Sequence, residues 1–440
     1  MWLPLALLAL DWNMFRGPNG SGVSDSASAP VQFKLIWKTA LPAGLSSPVF
    51  SGGRIYLTAA EGPKLSTIAL DYSGKILWRR SVDRLRQEKL HQLNHAAAAS
   101  PVTDGASVHA FFGDFGMVSY TAAGEERWRV PMGPFTNLYG AGSSPILADG
   151  KLILSVDQSK GSFIAAYDPL NGEMLWKTPR PEALSGHATP IVHGSTIILP
   201  GSFRMDGYDS KTGKSRWHVD GLPSEMKSIP VIDGGMLFLH GFNTPQNDPG
   251  RLIEIPEFKS RFTKAEAPTK HSAGVFEYID LNGDGFVDRD EWDQYRRTMG
   301  AENALLAYKL GDTPVLKWKF QRSIPQLPSP LVYRDVVYMI NEGGILTTLD
   351  AATGKLHKQA RLRGVSDRYY ASPVAADGKV YLASHTGVVS VLKAGPEQEL
   401  LAAHETGDEV LATPAIVDGR VYLRGKAALY CFGDMTAPGQ

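Results

Sequence analysis

SSPILADGKLILSVDQSKGSFIAAYDPLNGEMLW, residues 143–176, is the stretch whose reading decides the fold. It opens on hydroxyl residues and Pro145, passes an apolar pair to Asp149-Gly150, and resumes as Leu152-Ile153-Leu154. Asp-Gly accommodates the positive φ angles of a type I′ turn, so this half reads as strand, hairpin, strand. The other half is an apolar strand ending at Asp168, a turn through Gly172, and Trp176 four residues after that glycine.

The same phrase recurs along the 440 residues. A small, hydroxyl or apolar residue followed by proline stands at Pro48, Pro101, Pro145, Pro190, Pro230, Pro330, Pro373 and Pro414. Asp104-Gly105, Asp233-Gly234, Asp377-Gly378 and Asp418-Gly419 repeat the hairpin signal. Asp71, Gly74 and Trp78 repeat the second half, as do Asp209, Gly213 and Trp217, and Gly124 with Trp128. Trp318 is a divergent copy, and His357 is read as taking the tryptophan place after Gly354. Steps of 40 to 53 residues match one propeller blade each, and a single step of 100 holds an insertion of roughly 60 residues.

Eight units predict an all-β, eight-bladed β-propeller over residues 30–433. The last unit ends at Leu429, Tyr430 and Cys431 with no tryptophan strand after it, while Trp37 precedes the first proline. The N-terminal segment Phe33 to Leu41 is therefore expected to supply the outer strand of the last blade, closing the ring and leaving no free edge. A tryptophan repeated in most blades reads as architecture: an indole wedged between neighbours, its N–H on a carbonyl.

These AxDxxxGxxxW units after a Ser/Thr-Pro strand resemble the pyrroloquinoline-quinone-like (PQQ-like) repeats of quinoprotein dehydrogenases and of the barrel-assembly lipoprotein of bacterial outer membranes. The opening WNMFRGPNGSG, Trp12 to Gly22, is similar to exported bacterial propellers built of this repeat. In the dehydrogenase branch the resemblance implies adjacent cysteines against the quinone and a calcium inside the propeller. This chain has one cysteine, Cys431, so the pattern fails at the residues that would define that cofactor site, which argues against a bound quinone.

The insertion, about residues 243–302, carries a calcium motif of the EF-hand type. From Asp280 to Glu291 oxygen donors stand at loop positions 1, 3, 5, 9 and 12, with glycine at position 6. Asp280, Asn282 and Asp284 would give side-chain oxygens, Phe286 its carbonyl, Asp288 a direct or water-mediated contact, and Glu291 both carboxylate oxygens. Val275, Phe276 and Ile279 before the loop, and Trp292, Tyr295 and Met299 after it, have helical spacing, so a small α-helical unit is expected. EF-hands usually pair through position 8, here Val287, and no second loop is visible in the sequence. The insertion falls between the second strand of blade five (Met236 to His240) and its third (Ala304 to Tyr308). Alternating strand directions put such a loop on the face of the inter-blade connections, opposite the Asp-Gly turns.

Lysine and arginine number 45, as do aspartate and glutamate, so no net field draws the chain to nucleic acid. Met1 to Leu10, MWLPLALLAL, has the size of a signal-peptide core and is too short to span a bilayer, although it lacks a positive n-region. Export to the periplasm or medium of a bacterium is the expectation, with no transmembrane segment. G-x-S-x-G, H-E-x-x-H and G-x-x-x-x-G-K-[ST] are absent, and Ser224-Glu-Met-Lys227 has S-x-x-K spacing without companion motifs. Asn94, His95, His187, Lys227, Arg368 and Tyr370 fall just before first strands and so ring the funnel, but no metal spacing links them and loop polarity accounts for them. No catalytic residue is assigned. The reading is an exported, monomeric, calcium-binding propeller that binds a protein or glycan on the insertion-bearing face. Its alternative is a quinone-dependent oxidoreductase with its ligand in the funnel.

Overall fold

The computed structural model of the chain describes residues 12–137, 139–184, 186–242, 261–268, 270–274, 276–281, 283–362, 365 and 367–434. The apolar run Met1 to Leu10, and residues 243–260 of the insertion, lie outside them. Among the described residues the strands form eight four-stranded antiparallel sheets, and no helix is long and apolar enough to cross a membrane. Seven sheets use consecutive strands, as in blade three: Ile146–Ala148, Lys151–Val156, Phe163–Tyr167 and Met174–Pro179. The eighth joins Ala415–Val417, Arg420–Arg424 and Ala428–Asp434 to Phe33–Ala40, so the chain's start completes its last blade as the repeat count requires.

Trp and Gly recur together because they meet across the blade boundary. A Cβ on Gly74 would stand 2.6 Å from the Trp37 ring of the preceding blade, one on Gly124 2.7 Å from Trp78, and one on Gly172 2.8 Å from Trp128. Each indole thus lies flat on the next blade's turn, where only glycine leaves room and where φ is positive. The indole N–H then donates to a carbonyl of that turn: Trp37 to Tyr72 (2.9 Å), Trp78 to Ala122 (3.0 Å), Trp128 to Pro169 (2.9 Å) and Trp318 to Ala351 (3.2 Å). In blade six the register corrects the sequence reading. Thr348 pairs with Lys358 as Ala166 pairs with Trp176, so Lys358, four residues after Gly354, holds the tryptophan place rather than His357.

The residue before each repeat proline forms a belt. Ser47 N donates to Ser100 Oγ, Ser100 N to Ser144 Oγ, Ser144 N to Thr189 Oγ1, and from Ile229 onward N–H groups donate to Ser329, Ser372, Thr413 and back to Ser47, all at 2.9–3.1 Å. At the remaining step Ile229 stands where a hydroxyl would accept. Two hairpins differ from the Asp-Gly expectation. At Gly234-Gly235 the positive φ pair is shifted one residue past Asp233, and Asp104 caps its turn by accepting from Ala106 and Ser107 N. Asp149-Gly150, Asp377-Gly378 and Asp418-Gly419 have both φ angles positive.

Residues Trp12–Val31 form a hub. Trp12 O accepts from Phe50 N of blade one (2.7 Å), Asn13 O from Thr103 N of blade two (3.0 Å), and Asn19 exchanges two 2.8 Å bonds with Val192 of blade four. Met14 packs with Ile146 of blade three, and Gly20 sits against Ile229 at the root of blade five. Arg16, fully buried, donates through Nη2 to Pro330 O and Pro373 O of blades six and seven. Pro30 O accepts from Tyr381 (2.8 Å) and Val31 O from His404 (2.7 Å). Cys431 is buried in the last blade beneath these layers, and burial raises its thiol to about 11, which suits a packing group and not a nucleophile.

Candidate functional site

The insertion's second half is a loop wound round its first carboxylate. The helical turn Phe276–Ile279 ends with Asp280 N on Phe276 O (2.9 Å). Asp280 Oδ1 then accepts from Gly283 N (2.8 Å) and Asp284 N (3.1 Å), and Oδ2 from Gly285 N (3.0 Å). Gly283 and Gly285 take φ of 72° and 85°, the conformation a side chain would resist. Asp284 Oδ1 accepts from Phe286 N (2.9 Å). The helix Arg289–Gly300 starts on a capping box in which Asp288 accepts from Glu291 N and Glu291 Oε2 from Asp288 N, both at 3.0 Å. Asn282 lies outside the described residues, as does Val275, and the side chain of Met299 is not described.

The N–H groups of Gly283, Asp284 and Gly285 thus close on the Asp280 carboxylate, and that of Phe286 on Asp284. The side chains are not gathered on a metal. Both Glu291 oxygens accept backbone N–H bonds, the second from Leu281 (2.9 Å), so coordination would draw them off these donors. Among the described residues no three acidic, histidine or cysteine groups converge as a ready metal cluster.

Position 8 has a partner. Val287 and Phe262 exchange backbone bonds, Phe262 N to Val287 O at 3.1 Å and Val287 N to Phe262 O at 2.8 Å. Phe262, Phe276, Ile279, Val287 and Trp292 form the insertion's own core, with the Phe262 and Trp292 rings edge to face at 5.3 Å. The signal was present in the spacing: Phe262-Thr263-Lys264-Ala265-Glu266 copies Val287-Asp288-Arg289-Asp290-Glu291 in hydrophobe, cap and glutamate. Glu266 Oε2 accepts from Thr263 N and Oγ1, both 2.9 Å, as Glu291 does from Asp288 N. The single loop expected from the sequence is thus paired with a half-loop, residues 262–266. The unit meets the ring where Arg297 pairs with Glu182 (3.4 Å) and lies 4.4 Å over the Phe203 ring.

At the axis a cavity of about 290 Å³ opens among the inter-blade connections, with Phe15 of the hub among its lining residues. Asn94, His187, Lys227 and Tyr370 line it, so four of the six residues placed round the funnel from sequence meet there. His95 and Arg368 line the adjoining pocket, which Asn94 and Tyr370 share. Lys227 Nζ pairs with Glu225 and lies 4.6 Å over the Tyr139 ring, whose hydroxyl donates to Glu225 at 3.1 Å. His187 Nε2 is 3.0 Å from Gly140 O, and burial, with Lys227 nearby, holds its imidazole down to about 4, so it is neutral. Glu342, accepting from Gln326 N and Leu327 N at 2.7 Å, is raised by burial. Sequence alone missed Glu225, Tyr139 and Glu342, because nothing local marks residues that meet only when blades close.

The fold is shared with solved propellers at low identity. The Moraxella catarrhalis BamB structure matches with a TM-score of 0.63 at 12% identity, covering 93% of this chain and all of that one. A europium-containing methanol dehydrogenase matches at 0.62 and 11%, covering 97% and 98%. The quinohemoprotein alcohol dehydrogenase of Comamonas testosteroni matches at 0.60 and 15%, covering 98% and 82%. No curated protein sequence matches the chain. The model of the family described as outer membrane protein assembly factor BamB matches residues 30–138, 117–220, 160–255 and 286–437. Those segments take in all eight blades, and on them the chain belongs to the BamB family of PQQ-like repeat propellers.

Proposed function

We propose that this protein is an exported, calcium-binding propeller that acts as a non-catalytic scaffold, taking a protein or glycan partner on the face where the funnel and the insertion lie. The observation that carries it is the Asp280–Glu291 loop, wound on Asp280 and paired through Val287, built on a unit that Arg297 ties to Glu182 and Phe203 of the ring. A wrapped loop of this kind holds a cation with Asp280, Asn282, Asp284, the Phe286 carbonyl, Asp288 and Glu291. The ion then supplies rigidity rather than chemistry. The family is named for a factor in outer-membrane protein assembly, which supports an assembly or binding role and a location in the periplasm or outside the cell.

Quinone-dependent alcohol oxidation is the second reading, favoured by the axial cavity and the dehydrogenases among the fold's neighbours. The residues present do not fit the adjacent-cysteine arrangement, since Cys431 is the chain's one cysteine and is buried in a strand. Calorimetric calcium titration of the full chain, beside Asp280→Asn and Glu291→Gln, tests the first reading: saturable one-site binding weakened by both is expected, and no heat in the wild type overturns it. Dye-linked alcohol oxidation after addition of quinone and calcium would put the second in its place.

A further inference from the structure

A second cavity, about 400 Å³, opens beside the funnel at the seam of blades seven, eight and one. Arg424, Arg368, Lys426, His95, His385 and Glu409 stand in its wall. Lys426 is neutralised by Glu409 at 2.9 Å, which leaves two guanidinium groups. Arg424 is 1% exposed. Its Nη2 donates to Pro42 O, while Nε and Nη1 are buried with no hydrogen-bond partner among the described residues. Asp408 acts on Arg424 through its charge but makes no hydrogen bond to Nε or Nη1: its Oδ2 accepts from Ala427 N (3.3 Å) and Tyr430 Oη (3.1 Å). Asp367, before Arg368, is occupied by Arg368 N and Thr386. Asp114, whose charge acts on His95, lies 3.6 Å from Arg84.

A buried guanidinium with unpaired N–H donors is costly, and its planar fork of donors matches a carboxylate or phosphate. Burial lowers Arg424 only to about 10, so it stays charged at neutral pH. His95 is held neutral by burial and by Arg84 and Arg424, and so is a hydrogen-bonding neighbour rather than a further cation. Asn94, Tyr370, Leu93 and Leu411 line both this pocket and the axial cavity, so the two spaces adjoin.

We infer that the pocket at Arg424 and Arg368 is an oxyanion site, taking the carboxylate or phosphate group of a small molecule whose body extends into the axial funnel. It stands independently of the calcium reading. The test is calorimetric titration of the full chain, in calcium-free buffer at constant ionic strength, with sodium phosphate and separately with sodium benzoate, and sodium chloride as control. Saturable binding of at least one probe is expected, weakened at least about tenfold in Arg368→Gln and in Arg424→Gln. Whichever of the two binds tells phosphate from carboxylate chemistry. Arg368 is exposed, so its substitution keeps the test open even if Arg424→Gln fails to fold. Failure of both probes in the wild type overturns the inference, as does binding that Arg368→Gln leaves unchanged.

Discussion

Trp78 and Trp292 are both buried indoles, one in the ring and one in the insertion, and their surroundings differ in kind. Trp78 sits on Gly124 of the next blade, bonds Ala122 O, and belongs to a cluster shared by blades one and two. Trp292 has for company four other buried apolar side chains, all from the insertion itself. A core that small cannot offset the ordering of its own backbone without help, which is the situation in which bound metal contributes to folding. The ring closes on itself, Phe33–Ala40 on Ala428–Asp434. The difference teaches that the proposed calcium site should act on the insertion and not on the ring.

Truncating the indoles gives the largest expected effects. Trp78→Ala should cost about 3–5 kcal/mol and lower the ring's melting temperature, while Trp292→Ala should open the insertion to protease at an unchanged ring transition. A shared shift in both variants would break the distinction. Acid comes next, and acts on the ring. Burial holds His109 and His240 down to about 4, against 6.5 in the unfolded chain. The unfolded state therefore binds these protons first as pH falls, so stability is full above pH 6.5 and is lost between 6.5 and about 4, up to roughly 3 kcal/mol per histidine. Denaturant midpoints across that range check it, with His109→Asn and His240→Asn flattening the slope.

Smaller effects sharpen the picture. Ser100→Ala leaves Ser47 N without its acceptor inside the belt and should cost about 1–3 kcal/mol of ring stability. Glu291→Gln should weaken calcium at least about tenfold, or about 1.4 kcal/mol, and leave the ring's melting temperature where it was. Arg297→Ala removes an exposed pair with Glu182 and should cost no more than about 1 kcal/mol, read as faster proteolysis of the insertion. An equal loss of ring stability there would mean that the two regions fold as one.

The ring was legible because it is written eight times, so a local misreading, His357 for Lys358 or Asp233-Gly234 for Gly234-Gly235, did not disturb the count. The proposed calcium loop could be named because its donors are adjacent in sequence. What was hidden depends on distance along the chain. Arg16 meets Pro373, and Arg424 meets Pro42, across hundreds of residues, and no periodicity announces either. Phe262 escaped for another reason: its pairing with Val287 rests on backbone, and the side chains that would have named a second loop are incomplete.

The hub has a consequence for how such a chain is made. Trp12 to Val23 is made before any blade, yet Ala375, which exchanges bonds with Gly22 and Ser24, comes some 350 residues later. Until then the segment can bond blades one, two and four but lacks its later partners, Pro330 and Pro373 for Arg16 and Ala375 for Gly22 and Ser24. Its neighbour Phe33–Ala40 waits longer still, for Ala428–Asp434. Blades one to seven can each form as they emerge, but axle and rim are fastened together, at the end.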